Sequence, residues 1–130
     1  MATVTCIDET GIGNRTNEFH LDLDEPKIRL HELLKRRVYE EVRAFNLTQP
    51  EHFRGLIQPT DTERELNGYR LRKRRQLSWR AQYDRAVEAF EQRGFIVLVN
   101  QTQVDDLEAQ LDLQAGAEVT FLKLVPLVGG

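Results

Sequence analysis

Glu118-Val-Thr-Phe-Leu-Lys-Leu-Val-Pro-Leu-Val-Gly129-Gly130 is an apolar strand that runs into two glycines. Val119 to Val125 is rich in β-branched and aromatic residues, and Pro126, which has no N–H to give a ladder, ends the pairing. Leu127 and Val128 are large and apolar where an idle tail is usually polar. Gly129 and Gly130 carry no Cβ, so the backbone there can thread a narrow channel. The expectation is that Gly130 ends in a carboxylate used as a substrate, with unbranched glycine leaving its carbonyl open to a nucleophile once activated. Within the strand, Leu122 and Leu124 share one parity while Val119, Phe121 and Val125 share the other. Phe121 is expected inside. Leu122 and Leu124 then either form an apolar patch beside the tail or are covered by another element.

Working back, Phe95-Ile-Val-Leu-Val99 is an uninterrupted apolar run, as in a central strand covered on both sides. Asn100-Gln-Thr-Gln103 turns the chain, Val104 makes a brief edge contact, and Leu107, Leu111 and Leu113 fill the base of a core. Gln114-Ala-Gly-Ala117 turns into the last strand, which can then pair centrally between elements from opposite ends of the sequence. At the other end, Thr3 to Ile7 reads as a strand, Asp8 to Asn14 as a turn, and Phe19-His-Leu-Asp-Leu23 as a second strand with Phe19, Leu21 and Leu23 inward. From Ile28 the period becomes helical for about four turns. Leu30, Leu33, Leu34, Val38, Glu41, Val42 and Phe45 form the packed stripe, and His31, Glu32, Lys35, Arg36, Arg37 and Glu40 face water.

Residues 47–77 break these patterns. Pro50, Gly55, Pro59 and Gly68 punctuate a polar stretch that reads as a partly mobile insertion, within which Thr60-x-x-Glu63 fits a capping box. Arg70-Leu-Arg-Lys-Arg-Arg75 is strongly basic and reads either as a docking patch for an acidic partner or as a solvated surface. A helix then starts at the N-cap Ser78, repeats Trp79, Tyr83, Ala86, Val87 and Phe90 on one face, and stops at Gly94. That aromatic stripe is expected to be core.

A chain of 130 residues with 40% hydrophobic residues supports one domain and one core, here residues 1–130 with 47–94 as a helical insertion. The net charge of −3 with interspersed signs points to neither nucleic acid nor membrane as a partner. Cys6, the single cysteine, excludes a disulfide framework and reads as a small buried hydrophobe. No apolar run is long enough to span a bilayer and no signal-peptide core opens the chain, so the expected compartment is the cytoplasm. His20, His31 and His52 lack metal spacing, no phosphate loop appears, and no Ser/His/Asp arrangement can be drawn. Catalytic residues, a cofactor and a metal are therefore not expected. Lys27, Lys35, Lys73 and Lys123 are the lysines available as acceptors for self-linkage.

Val97-Leu-Val-Asn100, the Val104 element, Leu113, Gly116-Ala-Glu-Val119 and Val-Pro-Leu-Val-Gly-Gly130 resemble the C-terminal half of ubiquitin-like β-grasp proteins, above all the small sulfur carriers of molybdopterin and thiamine biosynthesis. Strand, turn, strand and helix at the N-terminus match the same fold loosely, so the resemblance covers residues 1–46 and 95–130. Gln101 stands where those carriers usually have glycine, Ala117 where they have aspartate, and Leu127 interrupts their usual ending. The resemblance implies an α+β fold of β-grasp type with a mixed sheet, an N-terminal hairpin, a packed helix and an additional inserted helix. It further implies that Gly130, presented by Gly129, is adenylated by an E1-like enzyme. The carboxylate would then be passed to a cysteine and joined to a target protein, with an E2-like conjugating enzyme and a JAB-type metalloprotease as further partners. Leu122, Leu124, Leu127 and Val128 would be the partner-binding residues. A sulfur carrier ending as a Gly130 thiocarboxylate and a non-conjugated β-grasp binding module stay open beside the modifier.

Overall fold

Alternating apolar residues build the first two strands, β1 (Ala2–Thr10) and β2 (Asn14–Leu23), as an antiparallel hairpin. A short β3 (Lys27–Arg29) leads into α1 (Leu30–Thr48), whose left-handed C-cap is Gln49. β4 (His52–Phe53), β5 (Thr62–Glu65), β6 (Gly68–Leu71) and α2 (Trp79–Glu91) follow. The chain continues through β7 (Phe95–Val99), β8 (Thr102–Val104), β9 (Gln110–Asp112) and β10 (Glu118–Lys123). These elements come from a computed structural model that describes residues 2–11, 14–65 and 68–124. The architecture is α+β, a mixed sheet with two helices among the described residues.

The main sheet has the order β2-β1-β10-β7-β8. β10 lies at its centre, parallel to β1 with Cys6 opposite Val119 and Asp8 opposite Phe121, and antiparallel to β7 with Phe121 opposite Val97. A parallel pair between the first and last strands needs the intervening chain to cross the sheet, and α1 packs on the face so created. Val4, Cys6, Leu21, Leu23, Phe95, Val97, Val119 and Phe121 meet Leu30, Leu33, Leu34, Val38, Val42 and Phe45 of α1 in one cluster. Each fully buried Val, Leu or Phe there contributes about 1.5–3 kcal/mol. Asn100 (φ 48°) and Gln101 (φ 72°) both take left-handed backbone, as a two-residue hairpin requires, so asparagine and glutamine stand where glycine would be easiest. Asn100 also accepts a hydrogen bond from the Glu118 N–H at 2.9 Å and donates its own N–H to the Glu118 carbonyl at 2.8 Å, which ties the β7–β8 turn to the start of β10.

Three expectations are corrected at the N-terminal half. The first strand does not end at Ile7 but runs to Thr10, and the turn shrinks to the region of Gly11, whose φ is +62°. Asp8 belongs to the strand because its carboxylate has a partner inside the protein. That partner is Arg37, which does not face water: its side chain is 0% exposed. Arg37 Nη1 and Nη2 donate to the two Asp8 carboxylate oxygens at 2.6 and 2.7 Å, and Nη2 also donates to Glu41 at 3.3 Å. The guanidinium lies 4.8 Å from the Phe19 ring centroid and 4.4 Å from that of Phe121. Burial works against its charge, but Glu41 and Asp8 more than offset this and raise its pKa.

The insertion is also different from expectation. Residues 47–94 are not simply helical: β4, β6 and β5 form a three-stranded sheet in that order, and α2 follows. No capping box operates at Thr60 and Glu63, because Glu63 is in β5 and no helix starts there. Nor is the segment a loose appendage, since Phe53, Leu56, Ile57, Tyr69 and Leu77 are buried in the same cluster as α1 and the main sheet. Asn46 on α1 fastens it by a reciprocal pair, donating to the Leu77 carbonyl at 2.9 Å and accepting from the Leu77 N–H at 2.8 Å. α2 begins as expected, with Ser78 Oγ accepting from the Ala81 N–H at 3.2 Å. Its end departs from expectation: Arg93, at φ 59°, takes the left-handed position, while the Gly94 N–H bonds back to the Ala89 carbonyl at 2.8 Å.

Removing one member of a buried, hydrogen-bonded ion pair leaves an uncompensated charge. Arg37→Ala is expected to cost about 3–5 kcal/mol in urea unfolding. A loss below about 1 kcal/mol would contradict a buried Asp8–Arg37 pair.

Candidate functional site

The candidate site is the end of β10 with the surface around it. Val119 and Phe121 point at α1 and are fully buried, as expected for Phe121. On the opposite face Leu122 is half-buried and Leu124 is 51% exposed. Register places Ile96 opposite Leu122 and Leu98 opposite Thr120, so a partly exposed apolar strip runs along this outer face, while Ile7, on the other side of Thr120, is covered. Leu124 is held in position by its N–H, which donates to the Gly94 carbonyl at 3.0 Å. Of the two arrangements open from sequence, the inserted helix does not cover this face. α2 sits on the α1 side, where Trp79 meets Tyr39 edge-on at 5.6 Å and Phe90 meets the inward-facing Phe95 at 5.8 Å. Leu127, Val128, Gly129 and Gly130 lie outside the described residues, as do Val125 and Pro126.

Lys123 has the inward parity of Phe121 and feels the charges of Asp8, Arg37 and Glu41. Burial lowers its pKa, the attraction of Asp8 acting against that and the repulsion of Arg37 adding to it. Among the candidate acceptor lysines it is half-buried, whereas Lys27, Lys35 and Lys73 are exposed. Lys35 spends part of its charge over the Trp79 ring at 5.4 Å. In the same region Glu41 has its carboxyl raised above the ordinary range by burial, with Arg37 pulling it back. This cluster of charges beneath the strand end escaped the sequence reading of Arg37. A signal was present all the same, because Arg37 falls three residues after Leu34 and four before Glu41, inside the stripe that packs.

Among the described residues, no group of three or more His, Cys, Asp or Glu side chains could hold a metal. His20 is on β2, His31 on α1 lies 3.9 Å from Glu108, and His52 on β4 pairs with Glu65 at 2.7 Å, so the histidines are on separate elements. No helix is long and apolar enough to cross a membrane. The basic run is mostly committed to structure. Arg74 donates to the Gln49 carbonyl at 3.2 Å, Arg75 donates to the Thr60 carbonyl, Arg70 lies near Glu65, and Arg72 lies 3.9 Å from both Asp61 and Glu63. Cys6 is fully buried, and burial pushes its thiol up to about 12 despite the nearby Arg37 charge.

Two measurements follow from this geometry. An aromatic disulfide reagent at neutral pH should leave Cys6 untouched in the native protein and react stoichiometrically in denaturant; rapid native labelling would contradict its burial. Phe121→Ala should cost about 3–5 kcal/mol, whereas Leu124→Ala should stay within about 0.5 kcal/mol, because only the first opens a core cavity. No protein-family description matches the sequence, and neither a curated protein nor a solved structure is significantly similar to it.

Proposed function

We propose that this chain is a ubiquitin-like protein modifier of β-grasp architecture whose Gly130 carboxylate is activated by an E1-like enzyme and joined to target proteins. The carrying observation is the sheet order β2-β1-β10-β7-β8 with β1 and β10 parallel. It supports a β-grasp reading because the first and last strands lie side by side at the centre, under a helix that follows an N-terminal hairpin. The strand that precedes the Val125-Pro-Leu-Val-Gly-Gly130 sequence is thereby anchored along both edges. A tail pulled into a partner's channel would be tethered to the most rigid part of the sheet.

In this reading the chain is the substrate and the enzyme supplies the chemistry. A Gly130 carboxylate oxygen attacks the α-phosphorus of ATP and pyrophosphate leaves, giving an acyl-adenylate. A cysteine thiolate of the partner then attacks the acyl carbon and AMP leaves. Finally a target amine attacks the thioester, loses its proton, and releases the thiolate. Glycine at this position keeps the carbonyl unhindered at each step. The strip around Leu122 and Leu124 is the grip for the activating enzyme, with Leu127 and Val128 entering its channel; apolar anchors of this kind carry most of the energy of an interface.

Intact-protein mass spectrometry of material co-expressed with its activating enzyme tests the proposal. A population joined to other proteins through Gly130 is the expected result. A mass gain of one sulfur-for-oxygen exchange would move the assignment to a sulfur carrier, and a carboxylate that stays free with enzyme and ATP present would overturn both and leave a binding module. Leu124→Glu should raise the KM for adenylation by about tenfold while the fold is retained, since a charge in an apolar contact removes about 1.4 kcal/mol or more of binding.

A further inference from the structure

The C-terminal turn of α2 and the β7–β8 hairpin enclose a groove of about 570 Å³ on the surface. Its floor is apolar: Phe90, Val104 and Leu107 are each only partly buried and pack against the core, Phe90 meeting the fully buried Phe95 at 5.8 Å, and the partly buried Ile96 adds to the lining. Its rim is acidic, carrying Glu91, Asp105, Asp106 and Glu108 against the single cation Arg93. Two of these carboxylates are engaged. Glu108 lies 3.9 Å from both Arg29 and His31, and Asp106 accepts from the Glu108 N–H at 2.9 Å. Glu91 and Asp105 are exposed and make no ion pair among the described residues. β8 closes the groove on one side as an edge strand, paired only with β7 among the described residues.

This combination differs from that of the other large surface groove, between α1 and α2. There Trp79, Tyr83 and Tyr39 are mixed with Lys27, Lys35, Arg36 and Arg80 as well as with acidic residues, and Lys35 and Arg80 already stack on Trp79. The α2/β8 groove instead pairs an apolar floor with a rim of one dominant sign. The geometry points to this groove as the docking site of a basic segment of a partner protein, one that sets apolar side chains on Phe90, Val104 and Leu107 and its Lys or Arg side chains against Glu91 and Asp105. Burial of the apolar anchors supplies the affinity, and the carboxylates steer the encounter and reject acidic segments. An anionic phosphate backbone or anionic lipid surface is repelled by the same rim. The groove is built by the inserted helix and the far edge of the sheet, so its role does not depend on how Gly130 is used.

Titration of the isotopically labelled full chain, followed by amide chemical shifts, tests the assignment with three short synthetic probes: a peptide alternating Leu and Lys, its Leu/Glu counterpart, and a Ser/Lys version. The expected result is saturable shifts confined to residues 90–108 with the Leu/Lys peptide, none with the Leu/Glu peptide, and at least about tenfold weaker binding of the Ser/Lys peptide. Glu91→Lys with Asp105→Lys should weaken the Leu/Lys peptide by about tenfold or more while leaving the remaining spectrum in place, because both side chains are exposed. Shifts scattered over the surface, equal binding of the Ser/Lys peptide, or indifference to the charge reversal would each overturn the proposal.

Discussion

The Asp8–Arg37 pair is the constraint on which the rest of this structure depends. A guanidinium on the core-facing stripe of α1 is taken wholly out of water, and such a charge is tolerated only where it is paired; both Nη atoms are, while Nε has no hydrogen-bond partner among the described residues. Asp8 supplies both acceptor oxygens from β1, Glu41 a third, and the faces of Phe19 and Phe121 close above and below. These partners sit on β1, β2, β10 and α1. One side chain therefore fixes the rotation of the helix over three adjacent strands, something that apolar contacts alone, being non-directional, do not specify.

The insertion extends the same core. Phe53 packs edge-on against Phe45 at 5.4 Å, and Gln82 on α2 reaches the Ile57 carbonyl at 2.8 Å inside the protein. Arg74 and Arg75 donate to the Gln49 and Thr60 carbonyls, and Arg70 and Arg72 lie near Glu65, Asp61 and Glu63, which is why a run of like charges can fold back on the surface. Tyr69 of the small sheet is buried in the same core, and that burial raises its hydroxyl pKa.

The two faces of the main sheet divide the work. The inner face carries the buried charge and the aromatic core, while Ile96, Leu98, Leu122 and Leu124 on the outer face and Val104 at the β8 edge leave apolar surface partly exposed. In the proposed reading the chain offers partners two separate handles, a strip beside the tail and an acidic groove at the inserted helix. Ile96 of β7 borders both, but Leu124 belongs only to the strip and Glu91 and Asp105 only to the groove, so either can be altered separately.

Much of the secondary structure was legible in the sequence because periods of two and 3.6 residues are local properties. The N-terminal hairpin, α1, the Ser78 cap, β7 and the central place of β10 were all readable in this way. So was the inward direction of Phe121. The extent of β1, the burial of Arg37, the small sheet of residues 52–71 and the acidic groove were not. Arg37 reads as a surface residue until Asp8, 29 residues away, is brought to it. Strands of two to four residues carry too few alternations to set a period, so β4, β5 and β6 exist only through their pairing and through the core they cover. The groove, likewise, is made of side chains from α2, β7, β8 and the loop after β8, which no segment of sequence holds together. Local pattern determined the two helices and the longer strands; long-range pairing, charge matching and burial decided the shortest strands, how the elements lock and what surface they leave.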